Sequence, residues 1–66
     1  MDSIAAQLTK LRRDLGLTQA QIAQRVGVAQ PVWARWETGT IDPGAEKVRQ
    51  ILLKLEHDLK VERLPE

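Results

Sequence analysis

The segment Thr18–Gly39, TQAQIAQRVGVAQPVWARWETG, decides the fold of this 66-residue chain. Thr18 is followed three residues later by Gln21, which is the spacing of a capping box at the start of a helix. Gly27 is a suitable end for that helix, because glycine adopts left-handed backbone angles without a steric cost. The segment therefore predicts two short helices, at 18–26 and 30–37, joined by a tight turn.

Small and large side chains alternate where these two helices are expected to meet. Ala23 lies four residues before Gly27, at a crossing where a larger side chain would push the helices apart. Val28 and Trp33 are expected to fill the space between them. Pro31 is tolerated in the first turn of the second helix, because the N–H that it lacks would have no partner there. This pattern is typical of a helix-turn-helix, whose second helix can enter the major groove of DNA.

Apolar residues at helical spacing predict one further helix on each side of this segment, at 3–15 and 44–59. The stripe of the first helix consists of Ile4, Leu8, Leu11 and Leu15. The stripe of the last helix consists of Val48, Ile51, Leu52, Leu55 and Leu59. The tail after residue 59 has two interpretations: it extends the last helix, or it forms a short strand that pairs with a second subunit.

These elements predict an all-α fold, a small orthogonal bundle of four or five helices. Residues 1–58 form one domain, and residues 59–66 form a tail that can contact a second subunit. Trp36 is expected to be partly buried. The predicted core consists of Leu8, Leu11, Ile22, Ala23, Val26, Trp33, Val48, Ile51 and Leu52.

The composition excludes several classes of protein. The absence of cysteine excludes disulfide frameworks and thiol catalysis, and the one histidine, His57, makes a zinc site unexpected. Apolar runs are too short to span a membrane and no signal peptide is recognisable, which points to the cytoplasm. A net charge of +1 does not by itself indicate a nucleic-acid partner. We expect no enzyme activity, no cofactor, no metal and no membrane association.

The combined pattern resembles the phage-repressor and Cro-like family of helix-turn-helix domains, also called the xenobiotic-response-element family. The resemblance spans roughly residues 4–56. It implies a lambda-repressor-like fold and a DNA-binding regulator of transcription, usually a repressor that binds a palindromic operator as a dimer. The matching residues are Leu17-Thr18-Gln19, Ile22-Ala23, Gly27-Val28, Trp33, Arg35-Trp36-Glu37, Gly39 and Pro43.

The same resemblance implies roles for individual residues. Glutamine and arginine are suited to reading adenine and guanine, so Gln30 and Arg35 would be the hydrogen-bonding readers in the groove. Gln19 would bind a DNA phosphate. Arg12 would form a structural salt bridge with Glu37. The full set of implied DNA contacts is Gln19, Gln30, Pro31, Val32, Arg35, Thr38 and Thr40.

The chain departs from the family pattern in ways that bear on affinity. The loop that reads Thr38-Gly39-Thr40-Ile41-Asp42 lacks the usual Lys or Arg, which predicts modest phosphate binding and a shallow salt dependence. Pro31 replaces a polar reader, and Ala29 replaces the usual Ser or Thr cap. The glycine and fifth helix that usually follow the fourth helix are also missing.

Two classes of function follow from this sequence. The first is a DNA-binding regulator that acts on double-stranded DNA as a homodimer. Its predicted dimer contacts lie in the C-terminal third, at Leu53, Leu59, Val61 and Leu64. The alternative is a protein-interaction module of the same fold, such as an antitoxin that binds a partner protein.

Overall fold

The computed structural model describes residues 3–62, without the side chain of Glu62, and the regular secondary structure in this part of the chain is all helix. Its four helices are α1 (Ile4–Asp14), α2 (Gln19–Val26), α3 (Gln30–Thr38) and α4 (Ala45–Glu62). The prediction of an all-α arrangement with four helices is confirmed for these residues. None of the described helices combines the length and the apolar character needed to cross a membrane.

Local side-chain chemistry explains where the helices begin and end. The Ser3 hydroxyl accepts a hydrogen bond from the Ala6 N–H at 3.1 Å and caps α1. Thr18 and Gln21 form both hydrogen bonds of the predicted capping box at the start of α2. Gly27 ends α2 with a positive φ of 77°, the left-handed conformation that favours glycine.

One apolar core joins the four helices. Within it α3 packs against both α1 and α2, and α4 packs against α2. Trp33 and Ile22 are completely buried, so the largest side chain of the core belongs to α3. The buried residues are Leu8, Ile22, Ala23, Trp33, Trp36, Ile51 and Leu55.

The predicted core needs correction on α4. Leu52 is 49% exposed, whereas Leu55 is buried beside Ile51. The cause is helix geometry: Leu55 lies about 40° around the axis from Ile51, while Leu52 lies about 100° away and turns from the core. Trp36, predicted to be partly buried, is only 6% exposed. The predicted core residues that are only partly buried are Leu11, Val26 and Val48.

The structure supports the first of the two interpretations of the tail, in which it extends the last helix. Helix α4 continues to Glu62, so residues 59–62 extend the helix and do not form a strand. The predicted boundary between domain and tail therefore lies inside α4. Leu64, one of the predicted dimer contacts, lies outside the described residues.

The close approach of α2 and α3 predicts that Ala23 tolerates no larger side chain. Ala23 is 2% exposed, and we expect Ala23→Leu to lower the free energy of unfolding by about 1–3 kcal/mol through overpacking. Urea denaturation followed by circular dichroism measures this change. The control is Ala20→Leu on the exposed side of α2. Equal stability of the two variants would contradict the predicted packing.

Candidate nucleic-acid interface

The turn between α2 and α3 has a defined hydrogen-bond pattern. The Val28 N–H donates to the Ala23 carbonyl at 3.0 Å, and the Gly27 N–H donates to the Gln24 carbonyl at 3.3 Å. Together these two bonds form a Schellman motif, which satisfies carbonyl groups at the end of α2. The Ala29 carbonyl then accepts from the first turn of α3. Three residues thus separate the helices, and their backbone bonds fix the direction in which α3 leaves α2.

The two sides of α3 differ sharply in exposure. Trp33 and Trp36 are buried, with ring centroids 5.7 Å apart and ring planes inclined by 62°. Gln30, Pro31 and Arg35 are exposed. Since residues four apart lie on the same side of a helix, Pro31 and Arg35 share one face. The buried tryptophans therefore anchor a helix whose opposite side presents polar groups to solvent.

The N-terminus of α3 lies beside this polar face, and its Val32 and Trp33 N–H groups donate to the Ala29 carbonyl. No side chain caps the helix at Ala29, and Pro31 contributes no N–H. The positive end of the helix dipole lies here, next to Gln30. Val32, also a predicted contact, is only partly buried and packs against the core with part of its surface. The start of α3 is therefore a mixed surface, on which Gln30 is polar and Ala29, Pro31 and Val32 are apolar.

The remaining predicted contacts lie away from this first turn. Gln19 is the first residue of α2 and is partly buried. Thr38 is the last residue of α3, about 12 Å along the helix axis from Gln30. The Thr38 hydroxyl donates to the Arg35 carbonyl at 3.1 Å and lies 2.9 Å from the Thr40 hydroxyl. The two threonines therefore form a small hydroxyl cluster at the other end of α3.

Arg12 and Glu37 form an ion pair between α1 and α3. The Arg12 Nε lies 2.9 Å from Glu37 Oε2, and Arg12 Nη2 donates to Oε1 at 3.2 Å. The side chains are only 15% and 5% exposed. Arg12 Nη1 also donates to the Leu17 carbonyl at 2.9 Å, just before α2. One guanidinium group therefore connects α1, the approach to α2 and the candidate recognition helix.

Trp33 adds a donor to this pair that the sequence analysis did not identify. Its indole Nε1 donates to Glu37 Oε2. The signal was present in the sequence, because residues four apart on a helix are neighbours and a buried indole N–H needs an acceptor. The structure thus gives Trp33 a polar role in addition to its place in the core.

The surroundings of Glu37 lower the pKa of its carboxyl. Burial alone would raise this pKa, but hydrogen bonds from Arg12 and Trp33, together with the charge of Arg12, outweigh burial. The ionised form is therefore favoured in the folded chain.

Residues 3–62 contain no group of three or more His, Cys, Asp or Glu side chains placed so that they could hold a metal ion.

A groove of about 310 Å³ lies between the start of α1 and the loop after α3. The apolar side chains along it include Ile4, Trp36, Ile41 and Pro43. Ile4 and Ile41 are 37% and 42% exposed. Sequence patterns did not identify this groove, because it combines two segments far apart in the chain.

The chain was compared with known protein families and structures. A family model described as a helix-turn-helix domain matches residues 3–59, which is most of the chain. Neither a curated protein nor a solved structure matches the chain.

The lowered pKa of Glu37 predicts a pH-dependent contribution to stability. A carboxyl with a lowered folded-state pKa stabilises the fold above its ordinary pKa of 4.5, and this contribution is lost as the pH falls through the lower folded value. The free energy of unfolding should therefore fall in this acidic range. In Glu37→Gln this part of the pH dependence should be absent. Urea denaturation at a series of pH values compares the two chains, and identical curves of stability against pH would contradict the assignment to Glu37.

Proposed function

The chain belongs to the helix-turn-helix domain family, and on this premise we propose that it is a sequence-specific DNA-binding regulator of transcription. The observation that carries the proposal is the exposed polar side of α3, held outward by Trp33 and Trp36 on the buried side. A helix anchored in this way can enter the major groove without reorganising. We also propose a cytoplasmic location, because a DNA-binding regulator must be in the same compartment as the DNA.

Base reading is assigned to the first turns of α3. Gln30 is suited to adenine, because its amide N–H can donate to adenine N7 while its amide oxygen accepts from the N6 amino group. Arg35 can bind guanine through two parallel hydrogen bonds. Val32 would contact a thymine methyl group, and Pro31 would add contact area without a hydrogen bond. The exposure of Gln30, Pro31 and Arg35 supports this assignment.

Phosphate contacts are assigned to both ends of the helix-turn-helix. Gln19 lies at the positive N-terminal end of α2, where an anion is favoured. Thr38 and Thr40 carry exposed hydroxyl-bearing side chains after the reading face. Since Ile41 and Asp42 follow without Lys or Arg, few cations contribute and the affinity should depend only weakly on salt.

We further propose the phage-repressor or Cro-like group, a repressor role and binding to a palindromic operator as a homodimer. One α3 reads only a few base pairs, whereas two-fold pairing places two such helices about 34 Å apart on successive turns of DNA. The outer surface of α4 supports pairing, because Leu53 and Val61 are 51% and 52% exposed. Leu59 is partly buried on the same helix. The tail at residues 59–66 would extend this contact.

A second candidate is a protein-interaction module, such as an antitoxin that binds a partner protein. The groove along Ile4, Trp36, Ile41 and Pro43 favours it, since exposed apolar surface of this kind suits a peptide or protein segment. The groove and the base-reading residues Gln30 and Arg35 are separate, but Thr38 both lines the groove and is a proposed phosphate contact, so the two surfaces meet at the end of α3. DNA binding by the isolated chain distinguishes the regulator from a module that only binds protein.

Arg35 should contribute specificity, whereas Gln19 should contribute affinity to any sequence. The test uses a DNA duplex that the wild-type chain has enriched from a random pool. Arg35→Ala should reduce the free energy of binding to this duplex by about 1–3 kcal/mol and relax discrimination at one base pair. Gln19→Ala should weaken binding evenly across duplexes. Fluorescence anisotropy with single-base variants of the duplex measures both, and Arg13→Ala on the exposed side of α1 is the control. If Arg35→Ala retained affinity and base preference, the assigned reading face would be wrong.

The proposed dimer predicts a defect from one charge on the outer surface of α4. Leu53→Glu should leave the fold intact, because Leu53 is half exposed, but should abolish cooperative binding to a palindromic duplex. Gln24→Glu introduces the same charge on the exposed side of α2 and serves as the control. Electrophoretic mobility shifts that separate one-subunit from two-subunit complexes report the cooperativity. Undiminished cooperativity in Leu53→Glu would place the interface elsewhere.

A further inference from the structure

Trp33 is the only completely buried tryptophan in the described residues, and its indole N–H must be satisfied inside the core. Glu37 supplies the acceptor, although its own side chain is 5% exposed. Leaving a buried N–H without a partner costs stability, and so does burying a carboxylate without donors. The two groups therefore compensate each other across one turn of α3.

The carboxylate of Glu37 is held from two directions. From α1, Arg12 Nε lies 2.9 Å from Oε2 and 3.2 Å from Oε1, and Nη2 donates to Oε1. From the same helix, Trp33 Nε1 donates to Oε2. Side chains of a helix lean toward its N-terminus, so Glu37 reaches back over Trp33 as it meets Arg12. The indole therefore restricts the rotamer of the carboxylate that Arg12 binds.

The restricted rotamer of Glu37 limits how far α3 can rotate about its own axis. Arg12 alone could follow a mobile Glu37 side chain through a range of rotations of α3 about its axis. When the indole of Trp33 binds the same carboxylate, the Glu37 side chain can no longer move independently of the α3 backbone. The contact with Arg12 therefore fixes the position of that backbone. Gln30 lies three residues before Trp33 and Arg35 lies two residues after it, so any rotation at Trp33 redirects both.

We propose that Trp33 is a positioning residue for DNA recognition, whose indole N–H acts through Glu37 and Arg12 to fix the rotation of α3 on α1. The direction in which Gln30 and Arg35 leave the helix would then depend on one hydrogen bond inside the core. This inference rests on the proposed DNA-binding function and adds a specificity determinant that does not itself touch DNA.

The test replaces the indole N–H without changing the shape of the ring. A chain of 66 residues is accessible to chemical synthesis, and Trp33→benzothienylalanine exchanges the N–H for sulfur while keeping the bicyclic side chain. The matched control is Trp36→benzothienylalanine, because Trp36 is buried on the same helix and is not a donor to Glu37 among the described hydrogen bonds. Binding is measured to the duplex enriched by the wild-type chain and to an unrelated duplex of equal length.

The Trp33 variant should bind the enriched duplex about threefold to tenfold more weakly, which is less than the full effect of a hydrogen bond to a charged group, because this bond acts on DNA only through the rotation of α3. Its binding to the unrelated duplex should stay unchanged. A double-mutant cycle with Arg12→Met and Glu37→Gln should also show a smaller coupling in the Trp33 variant than in the wild-type background. Loss of general stability alone would not change the ratio of specific to unspecific affinity in chains that remain folded.

Several results would overturn the proposal. One is an unchanged ratio of affinities in the Trp33 variant, and another is an equal decrease in the Trp36 control, which would indicate packing and not the hydrogen bond. An unchanged Arg12–Glu37 coupling would show that the indole does not restrict the carboxylate. If the wild-type chain preferred no duplex, the proposed function itself would fail, and this result is distinct because it appears before any variant is compared.

Discussion

The carboxylate of Glu37 accepts hydrogen bonds from Arg12 on α1 and from Trp33 on α3, while Arg12 also donates to the Leu17 carbonyl before α2. One guanidinium group therefore links α1, the backbone just before α2, and α3. A buried ion pair of this kind gains little net stability, because desolvation offsets much of the attraction. Its contribution here is orientation: the guanidinium fork accepts the carboxylate in few geometries, and the apolar core alone would allow more.

The small size of the domain makes that orientation important. A chain of this length buries a limited fraction of its surface, so each large core side chain carries much of the packing. Two of those side chains, Trp33 and Trp36, belong to α3. The helix that we propose to read DNA is thus also the helix most firmly held by the core. A rigid support lowers the entropic cost of binding, since the reading side chains start from a backbone that is already in place.

Features set by local chemistry were predictable from the sequence. The Thr18–Gln21 capping box and the left-handed turn at Gly27 depend on neighbouring residues, and both occur as predicted. Leu52 and Leu55 both lie on the broad apolar stripe of α4, and Leu55 is the buried one because it lies nearer than Leu52 to the buried Ile51 around the helix axis. The sequence left the end of α4 open between a helix and a strand, because no glycine or proline marks a helix end near residue 59; the structure shows the helix continuing to Glu62. The Trp33–Glu37 bond and the groove at Ile41 depend on tertiary arrangement.

The assignment of individual DNA contacts stays a prediction, because the family match supports the helix-turn-helix as a unit.

In the proposed complex, the exposed side of α3 lies in the major groove of DNA. Intermolecular nuclear Overhauser effects between the labelled chain and an enriched DNA duplex test this placement most directly, because they report proton pairs in contact. We expect such effects between major-groove base protons and the side chains of Gln30, Val32 and Arg35. Contacts confined to α1 or α4, with none from these three side chains, would contradict this placement.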